Sequence, residues 1–536
     1  MSQLMYDVIQ VGYGPVSKAM AILLSRRGHK VGVFEQFPEV YPLPRAVCID
    51  HEMARAMHAN GLGPQLDAVT SPAPLYRWYN AEWKELLCID WTQESISGGP
   101  EVNFIHQPSF ERSLDTVVRN TMNVSLNMGW EAIDLMQSED CVELTVRNVN
   151  TREVKQVRSR YLVGIDGANS FVRGKLGSGR KDLGFEADWL VVDMLLKEGV
   201  TVEELGIPEC GQYCSPVRPT TIVPGGIDNG RVCRRWEFMR LPEETKEEME
   251  TTEKVWALLG DWVKPDQADL VRHTVYTFRS LIADKWRDRR VMLAGDAAHV
   301  MPPFMGQGMC AGLRDAVNLS WKLDMILTDM SGDKLLDAYQ PERAPHVSDI
   351  INISIFLGQI ICIPDIEEAQ KRDAMFLSGN APPMAPFPIL TDGLLRRDAA
   401  GAPAGVAGQL SPHANVAGPR GEGRLDEIEG TGFNLFLAPG VTVSAQSSAF
   451  IEGLGGRVIS LAGKGAPVGA VVDTSGKLLS FLDRTHADAL LVRPDFYIYG
   501  TSGKGEDVER LVEALRKDLR TLGLNDRFLG PSATAA

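Results

Sequence analysis

Residues 7–11 are mostly apolar, a glycine-rich turn follows, and residues 15–27 have helical spacing. Gly28 suits the end of that helix, and residues 30–35 are apolar again, so the opening predicts a βαβ unit. Polar and β-branched residues alternate over 142–160 and a short apolar run fills 161–165, which returns strands to the same unit and makes the first domain discontinuous. From 189 to 278, strand-like runs such as 190–196 and 231–239 are interrupted by an acidic helical stretch at 243–259; this predicts a mixed sheet that covers a ligand. Residues 291–294 read as a buried strand. Residues 311–327 read as a long helix with Leu313, Ala316, Val317, Ser320, Leu323 and Leu327 on one face.

Residues 380–424 are dense in Gly, Pro and Ala and predict an extended connection. Beyond it come short strands at 458–461, 470–472, 489–492 and 497–499 and a helix over 506–521, a third and smaller α/β domain. The expected division is 1–185 for the first part of a dinucleotide-binding domain, 186–280 for the inserted substrate sheet, 281–375 for the return of the first domain, 376–430 for a linker and 431–536 for the last domain.

Composition narrows the partners. The chain has 536 residues, 44% of them hydrophobic, enough for about two to four packed domains. Its net charge of −15 would repel a phosphate backbone and an anionic membrane surface, so no nucleic acid or membrane partner is expected. The eight Cys are scattered without a C-x-x-C, which fits neither a metal cluster nor a disulfide framework and suggests reduced thiols in a cytoplasm. Residues 1–7 lack the pattern of a signal peptide, and the apolar stretch 351–363 contains Asn352, Ser354 and Gln359 and is shorter than the ~20 residues of a membrane span.

The first chemistry is in the opening turn. Gly12, Gly14, Pro15 and Ser17 follow a strand and open a helix, where backbone N–H groups and the positive helix end can meet a pyrophosphate. Ser17 takes the place of a third glycine. Glu35 stands 21 residues after Gly14 at the end of the second strand, where its carboxylate can accept both hydroxyls of an adenosine ribose and would repel a 2′-phosphate. These residues point to a bound adenine dinucleotide, either FAD or NAD.

Two further segments carry a family resemblance. Residues 161–170, with Asp166-Gly167 and the following Val172-Arg173, resemble the Asp-Gly motif of the group A FAD-dependent aromatic hydroxylases. Residues 291–299, with Gly295-Asp296, followed by Pro302-Pro303 and Gly306-Gln307-Gly308-Met309, resemble their Gly-Asp motif and flavin loop. The likeness is closest to the phenol hydroxylase and 3-(3-hydroxyphenyl)propionate hydroxylase branch and spans roughly residues 6–350. Within it fall Arg45-Ala46, Gln107-Pro108, residues 216–219, Trp236-Glu237-Phe238-Met239 and Tyr276-Thr277. Arg493-Pro494-Asp495 resembles a motif of the group's thioredoxin-like tail, here without C-x-x-C.

The resemblance implies an α/β fold: a Rossmann-like FAD-binding domain, an inserted mixed-sheet substrate domain and a C-terminal thioredoxin-like domain. It implies FAD held by Gly12, Gly14, Pro15, Glu35, Arg45, Gln107, Asp166, Asp296, Pro303, Gly306, Gly308 and Met309. Asp296 would accept from ribityl hydroxyls, the Gly306 and Gly308 backbone would meet the charge of the reduced ring, and Asp166 and Arg45 would lie near the pyrophosphate and the docking path of the donor. His299 is given no catalytic role, and Cys310 stands where the family commonly has Asn. Only one glycine fingerprint is visible, so NADH or NADPH would dock transiently, O₂ would add at flavin C4a, and the hydroperoxide would hydroxylate a phenolic ring. Phenol deprotonation asks for a base, with Asp50 and His51 as candidates, and Tyr213, Arg218 and Tyr276 lie in the expected substrate sheet, Arg218 able to pair with a substrate carboxylate. A homodimer fits the family. The same scaffold also supports Baeyer–Villiger insertion or epoxidation, and a non-catalytic FAD-binding protein is the reading from another class.

Overall fold

The computed structural model describes residues 6–73, 75–260, 262–463 and 469–529; the first five residues of the expected signal-free N-terminus lie outside them. Its first sheet is built on five parallel strands in the order Val291–Leu293, Val154–Gly164, Tyr6–Val11, Val31–Glu35 and Val124–Met128. The helix Pro15–Arg26 crosses from Tyr6–Val11 to Val31–Glu35, and Gly28 just past it has φ +91°, a conformation that glycine reaches without steric cost. The alternating stretch becomes the strand Val142–Asn148, antiparallel to Val154–Gly164 and to Trp130–Gln137, so each of its apolar residues faces the core.

The second sheet has eight strands, mostly antiparallel, in the order His299–Val300, Ala268–Ala283, Arg180–Leu196, Arg231–Met239, Thr220–Asp228, Gly211–Tyr213, Leu75–Tyr79 and Glu85–Asp90. Gly211–Tyr213 and Leu75–Tyr79 pair in parallel, so the sheet is mixed. Its far edge comes from residues 75–90, well before the expected 186–280 segment. The acidic helical stretch divides into Lys246–Met249, which opens on a Thr245 and Glu248 capping box, and Thr252–Leu259. One face of the sheet packs on these helices through Leu190, Val192, Met194, Trp236 and Phe238. The other face turns toward the first domain and contributes Trp78, Tyr76, Trp189 and Val223 to a cluster with Phe304 and Cys48.

The third sheet holds a parallel pair, Arg457–Ala462 with Asn434–Leu437, flanked by the antiparallel strands Ala487–Val492 and Ile498–Gly503, a thioredoxin-like arrangement. The expected linker 376–430 needs correction. Its later part forms the hairpin Asn415–Gly418 and Gly421–Arg424, which extends this sheet through Val471–Asp473, and then the helix Leu425–Glu429.

The helix predicted over 311–327 starts earlier, at Gly308, and runs to Leu327 almost wholly buried. The apolar stretch near 351–363 belongs to a longer helix, Tyr339–Ile361. With the preceding turn it is long and apolar enough to cross a membrane by composition, but half of its most apolar window is buried inside the protein. All eight Cys are free.

Candidate active site

The strand Tyr6–Val11 ends in Gly12 at φ +100°, where a Cβ would stand 2.3 Å from the Ile165 carbonyl oxygen. No side chain other than hydrogen fits that turn. Gly14 is the N-cap of the following helix with no side-chain cap, a Cβ placed on it would meet nothing within 4 Å, and Pro15 opens the first turn. The first-turn N–H groups thus have no intrahelical partner, and a ligand can come close to the Gly14 backbone. Ser17 is fully buried, 2.6 Å from the Gln10 amide, and fills the place of the third glycine as a packing residue. Glu35 accepts from the backbone N–H groups of Tyr13 (2.8 Å) and Phe37 (2.9 Å), which orient its carboxylate while each oxygen keeps a lone pair for a further donor.

Asp166 lies at the start of the short helix Phe171–Lys175, accepting from Oγ of its N-cap Ser170 (2.5 Å) and from the Val172 N–H (3.1 Å), while burial pushes its carboxyl above the usual range. Arg173 ties the two aspartate loops together, donating to the carbonyls of Ala168 (2.9 Å) and Ala297 (3.0 Å). Asp296 differs from Asp166. Its side chain is exposed, no described residue hydrogen-bonds to it, and the protein around it still pushes its carboxyl above the usual range, against the pull of His299 and Arg45. A carboxylate enclosed by protein yet open and unpartnered is what a cleft prepared for a hydroxyl-bearing ligand provides. Its loop is fixed from behind by Asp315, which accepts from the Gly295 N–H (3.0 Å), His299 Nε2 (2.7 Å) and Arg343 Nε (2.9 Å). His299 is therefore a structural residue.

Pro303–Met305 forms a single 3₁₀ turn, and Gly306 leaves it at φ +64° with its Cα so close to Cys48 that a Cβ would stand 2.4 Å from the sulfur. Cys48 donates to the Gly306 carbonyl (3.4 Å), and burial pushes its thiol up to about 12. Gly308 and Met309 begin the long helix, again with no side-chain cap. Cys310 is buried behind them, 3.9 Å from the Cys48 carbonyl, so its thiol meets the Cys48–Asp50 strand.

Gln107 holds the backbone of the Arg45 segment. Its Oε1 accepts from the N–H groups of Arg45 (2.8 Å) and Ala46 (2.5 Å), and its Nε2 donates to Glu111 (2.8 Å). Glu111 in turn accepts from buried Lys18 (2.6 Å), which also donates to the Tyr13 carbonyl (2.7 Å). One buried chain thus joins the glycine turn to the Arg45 segment. The Arg45 guanidinium itself lies 4.4 Å over the Tyr41 ring and pairs with no described carboxylate.

On the substrate side three readings change. Asp50 is the N-cap of His51–Ala59, accepting from the Met53 N–H (2.9 Å) and pairing with Arg314 at 2.5 Å; the charges of Arg314 and His51 hold its carboxyl below the usual range despite burial, which makes it a poor base. His51 lies 3.0 Å from Ser97 Oγ and 3.3 Å from Glu101. Tyr213 stacks on Trp83 (4.5 Å) and packs against Trp262, on the sheet face turned to the helices, and donates to the Ala81 carbonyl (3.0 Å). Arg218 is bound by both oxygens of Glu244 (2.6 and 2.7 Å), so it has no free fork for a substrate carboxylate. Tyr276 pairs with Trp189 across the ladder and carries Arg272 over its ring at 4.6 Å.

Glu237 is the residue the sequence reading passed over as part of a motif. It is buried, no described residue hydrogen-bonds to its carboxylate, and its nearest cation is Arg235 Nη1 at 3.7 Å. Arg235 is already spent on Asp193 (2.7 and 2.9 Å) and the Arg45 carbonyl (2.6 Å). Burial therefore pushes the Glu237 carboxyl above the usual range. Trp189 and Phe304, with ring centres 5.7 Å apart, close the aromatic wall beside it.

The spatial order of these groups tests whether FAD fits. Asp296, Asp166, the Gly12 turn and Glu35 follow the carboxyl ends of four adjacent parallel strands, spaced ~4.8 Å apart, in that order. That is also the order of ribityl chain, pyrophosphate and adenosine ribose along FAD, and the residues present fit the cofactor.

Residues 5–354 match the model of the FAD binding domain, and residues 408–518 match that of the HcaD C-terminal domain. The chain is 34% identical over 523 residues to a probable NADH-specific resorcinol 4-hydroxylase of Rhodococcus jostii, covering 95% of this chain and 94% of that one. It is 31% identical over 514 residues to a 3-(3-hydroxy-phenyl)propionate/3-hydroxycinnamic acid hydroxylase of Mycolicibacterium gilvum, covering 91% and 88%. Among solved structures, aklavinone-11 hydroxylase with FAD and aklavinone superposes with a TM-score of 0.77 over 97% of this chain and all of the other at 22% identity, a likeness of fold.

Proposed function

Because the chain belongs to the FAD-binding-domain family, and its relatives include flavoprotein aromatic hydroxylases, we propose that it is an FAD-dependent monooxygenase that hydroxylates a phenolic ring with NADH and O₂. The observation that carries the reading is the strand-end order of Asp296, Asp166, Gly12 and Glu35 along one edge of the first sheet, with an aromatic wall where the flavin end would be. NADH as donor rests on the Rhodococcus relative, and the enzyme is proposed to work in the cytoplasm.

When bound, FAD supplies the electron transfer from NADH to O₂ and the transfer of one oxygen to the ring. The protein's own residues do the rest. Glu35 and the Gly12 turn hold the adenosine and pyrophosphate end, and Asp296 accepts from the ribityl hydroxyls. The uncapped N–H groups at Gly308 and Met309 would turn a positive helix end toward the negative charge of the reduced ring. Trp78, Trp189 and Phe304 exclude water beside it, which limits loss of oxidising equivalents as H₂O₂.

The test is NADH oxidation by the purified yellow protein across a panel of phenols, with H₂O₂ and hydroxylated product quantified together. Stimulated oxidation with product approaching the NADH consumed is expected. A protein that stays colourless after FAD addition, or makes only H₂O₂ with every phenol, refutes the reading.

A further inference from the structure

Glu237 does not stand alone on the substrate-facing side of the second sheet. Across the ladder it pairs directly with Thr221, Thr221 pairs with Gln212, and Gln212 pairs with Trp78. Directly opposed residues share a face, so these four side chains form one row across four strands. All four are buried, at 8%, 6%, 3% and 1% exposure, on a face that also carries the aromatic wall of Trp189 and Tyr76 and the buried Asp193 and Arg235 pair.

The row is only partly satisfied. Thr221 donates to Gln212 Oε1 at 2.7 Å. The Trp78 indole N–H closes no full hydrogen bond, although the Tyr76 hydroxyl lies against both it and the Gln212 amide. The Trp189 indole N–H one row away is also unpartnered, and the Glu237 carboxylate accepts from no described residue. Buried polar groups are costly when unpaired, and a row of them beside an aromatic wall is a place that a polar ring would complete.

We propose that Glu237 receives a ring hydroxyl of the substrate, and that the row Glu237, Thr221, Gln212 and Trp78 selects an uncharged ring with two hydroxyls over a ring that carries a carboxylate. Adjacent strands lie ~4.8 Å apart, close to the separation of about 5 Å between the oxygens of a 1,3-dihydroxybenzene, so one hydroxyl can meet Glu237 while the other meets the Thr221 and Gln212 pair. The substrate O–H donates to a Glu237 oxygen. If the proton passes to it, the O–H bonding pair stays on the ring oxygen and raises the nucleophilicity of the ring.

The charges around the row argue in the same sense. A substrate carboxylate here would meet Glu237 with Asp193 behind it. Arg235 is bound to Asp193 and the Arg45 carbonyl, and Arg272 is turned to the Pro44 carbonyl and the Tyr276 ring, with its buried Nη2 left without a partner.

The proposal rests on the hydroxylase reading and is tested so that the two can fail separately. FAD-loaded wild type, Glu237→Gln, Thr221→Val and Trp78→Phe are titrated with resorcinol and with 3-(3-hydroxyphenyl)propionate, reading Kd from the change in the visible flavin spectrum, and product formed per NADH is measured in parallel. Wild type is expected to bind resorcinol more tightly than the carboxylate compound. Glu237→Gln should weaken resorcinol binding by about tenfold or more and leave the carboxylate compound unchanged or tighter, since a hydrogen bond to a charged group is lost for the one and a repulsion is lost for the other. Thr221→Val and Trp78→Phe should shift the same preference by a few-fold, and they carry the test if Glu237→Gln does not hold FAD. Equal Kd values across the variants, or a wild-type preference for the carboxylate compound, overturn the proposal. If wild type hydroxylates neither compound but Glu237→Gln still loses resorcinol binding, the row stands and the hydroxylase reading falls.

Discussion

Most enclosed carboxylates of this protein are tied to a cation: Asp50 to Arg314, Asp315 to Arg343 and His299, Glu342 to Arg493 and Lys322. Asp296 has no such partner, so its replacement should cost the ligand and not the fold. Asp296→Asn is expected to weaken FAD binding by about tenfold or more, with the Tm of the cofactor-free protein unchanged or slightly higher, as measured by flavin fluorescence titration and thermal unfolding. Gly12, Glu35 and Asp296 were legible in the sequence because each follows a strand end, where spacing alone fixes the neighbours. Asp50 misled for a physical reason. Polar residues beside a cleft are also the ones available to hold its backbone, and a cap or an amide bridge leaves the same trace in sequence as a ligand contact. Glu237 was hidden differently. In Arg231–Met239 the aromatic residues Trp236 and Phe238 pack on the helix-covered face and Arg235 and Glu237 face the inner site, so the usual rule of polar residues outward reads this part of the strand backwards.

Among the elements, the strands and helices with strong periodicity came through within a few residues, and the shortfall fell on glycine-rich edges. Gly418, Gly421 and Gly423 dominate the hairpin 415–424, and Gly421 and Gly423 adopt φ values of +134° and +152°. Their composition speaks of a linker, but pairing to Val471–Asp473 makes them an edge of the third sheet. The long helix shows a second such case. A Cβ on Gly312 would stand 2.7 Å from Val16 Cγ2 and 3.1 Å from the Gly295 Cα, which is how this helix comes close enough to seat the Gly295-Asp296 turn on the first helix. The helices over the second sheet hang on Glu244, whose carboxyl the hydrogen bonds from Arg218 press down to about 2 from an ordinary 4.5. A depressed carboxyl stabilises the folded state fully above its ordinary value and loses that contribution as pH falls toward the depressed one. Arg218→Ala should therefore lower the Tm at pH 7, the gap to wild type should narrow as pH drops below about 4.5, and KM for the phenol should stay unchanged.

At the scale of the whole molecule the third sheet is joined to the first domain by buried charge. Arg493 pairs with Glu342 (2.7 Å) and Asp495 (2.6 Å), Lys322 reaches Glu342 (2.7 Å), and Asp495 accepts from Asn318 (2.9 Å) and Trp321 (3.1 Å) of the long helix. Arg55 pairs with Asp426 at 2.6 Å, and the Tyr497 hydroxyl donates to Glu52 at 3.2 Å. Arg493→Met would leave Asp495 without its cation in the interior, at a cost of about 3–5 kcal/mol, and amide exchange in Asn434–Leu437 and Ala487–Val492 should rise before that in Tyr6–Val11. Periodicity showed that a last α/β unit exists; it could not show the docking, because the partners lie more than 150 residues apart in sequence.

That separation also sets an order of events during synthesis. The helix Gly308–Leu327, whose first turn faces the flavin end of the cleft, is gripped from behind by Asp495, made 177 residues after Asn318. As the chain leaves the ribosome, the glycine turn that would take the cofactor emerges well before Asp495, which grips the long helix. A nascent chain can thus form its Gly12 loop early, but the long helix gains its full support only after the third sheet has docked.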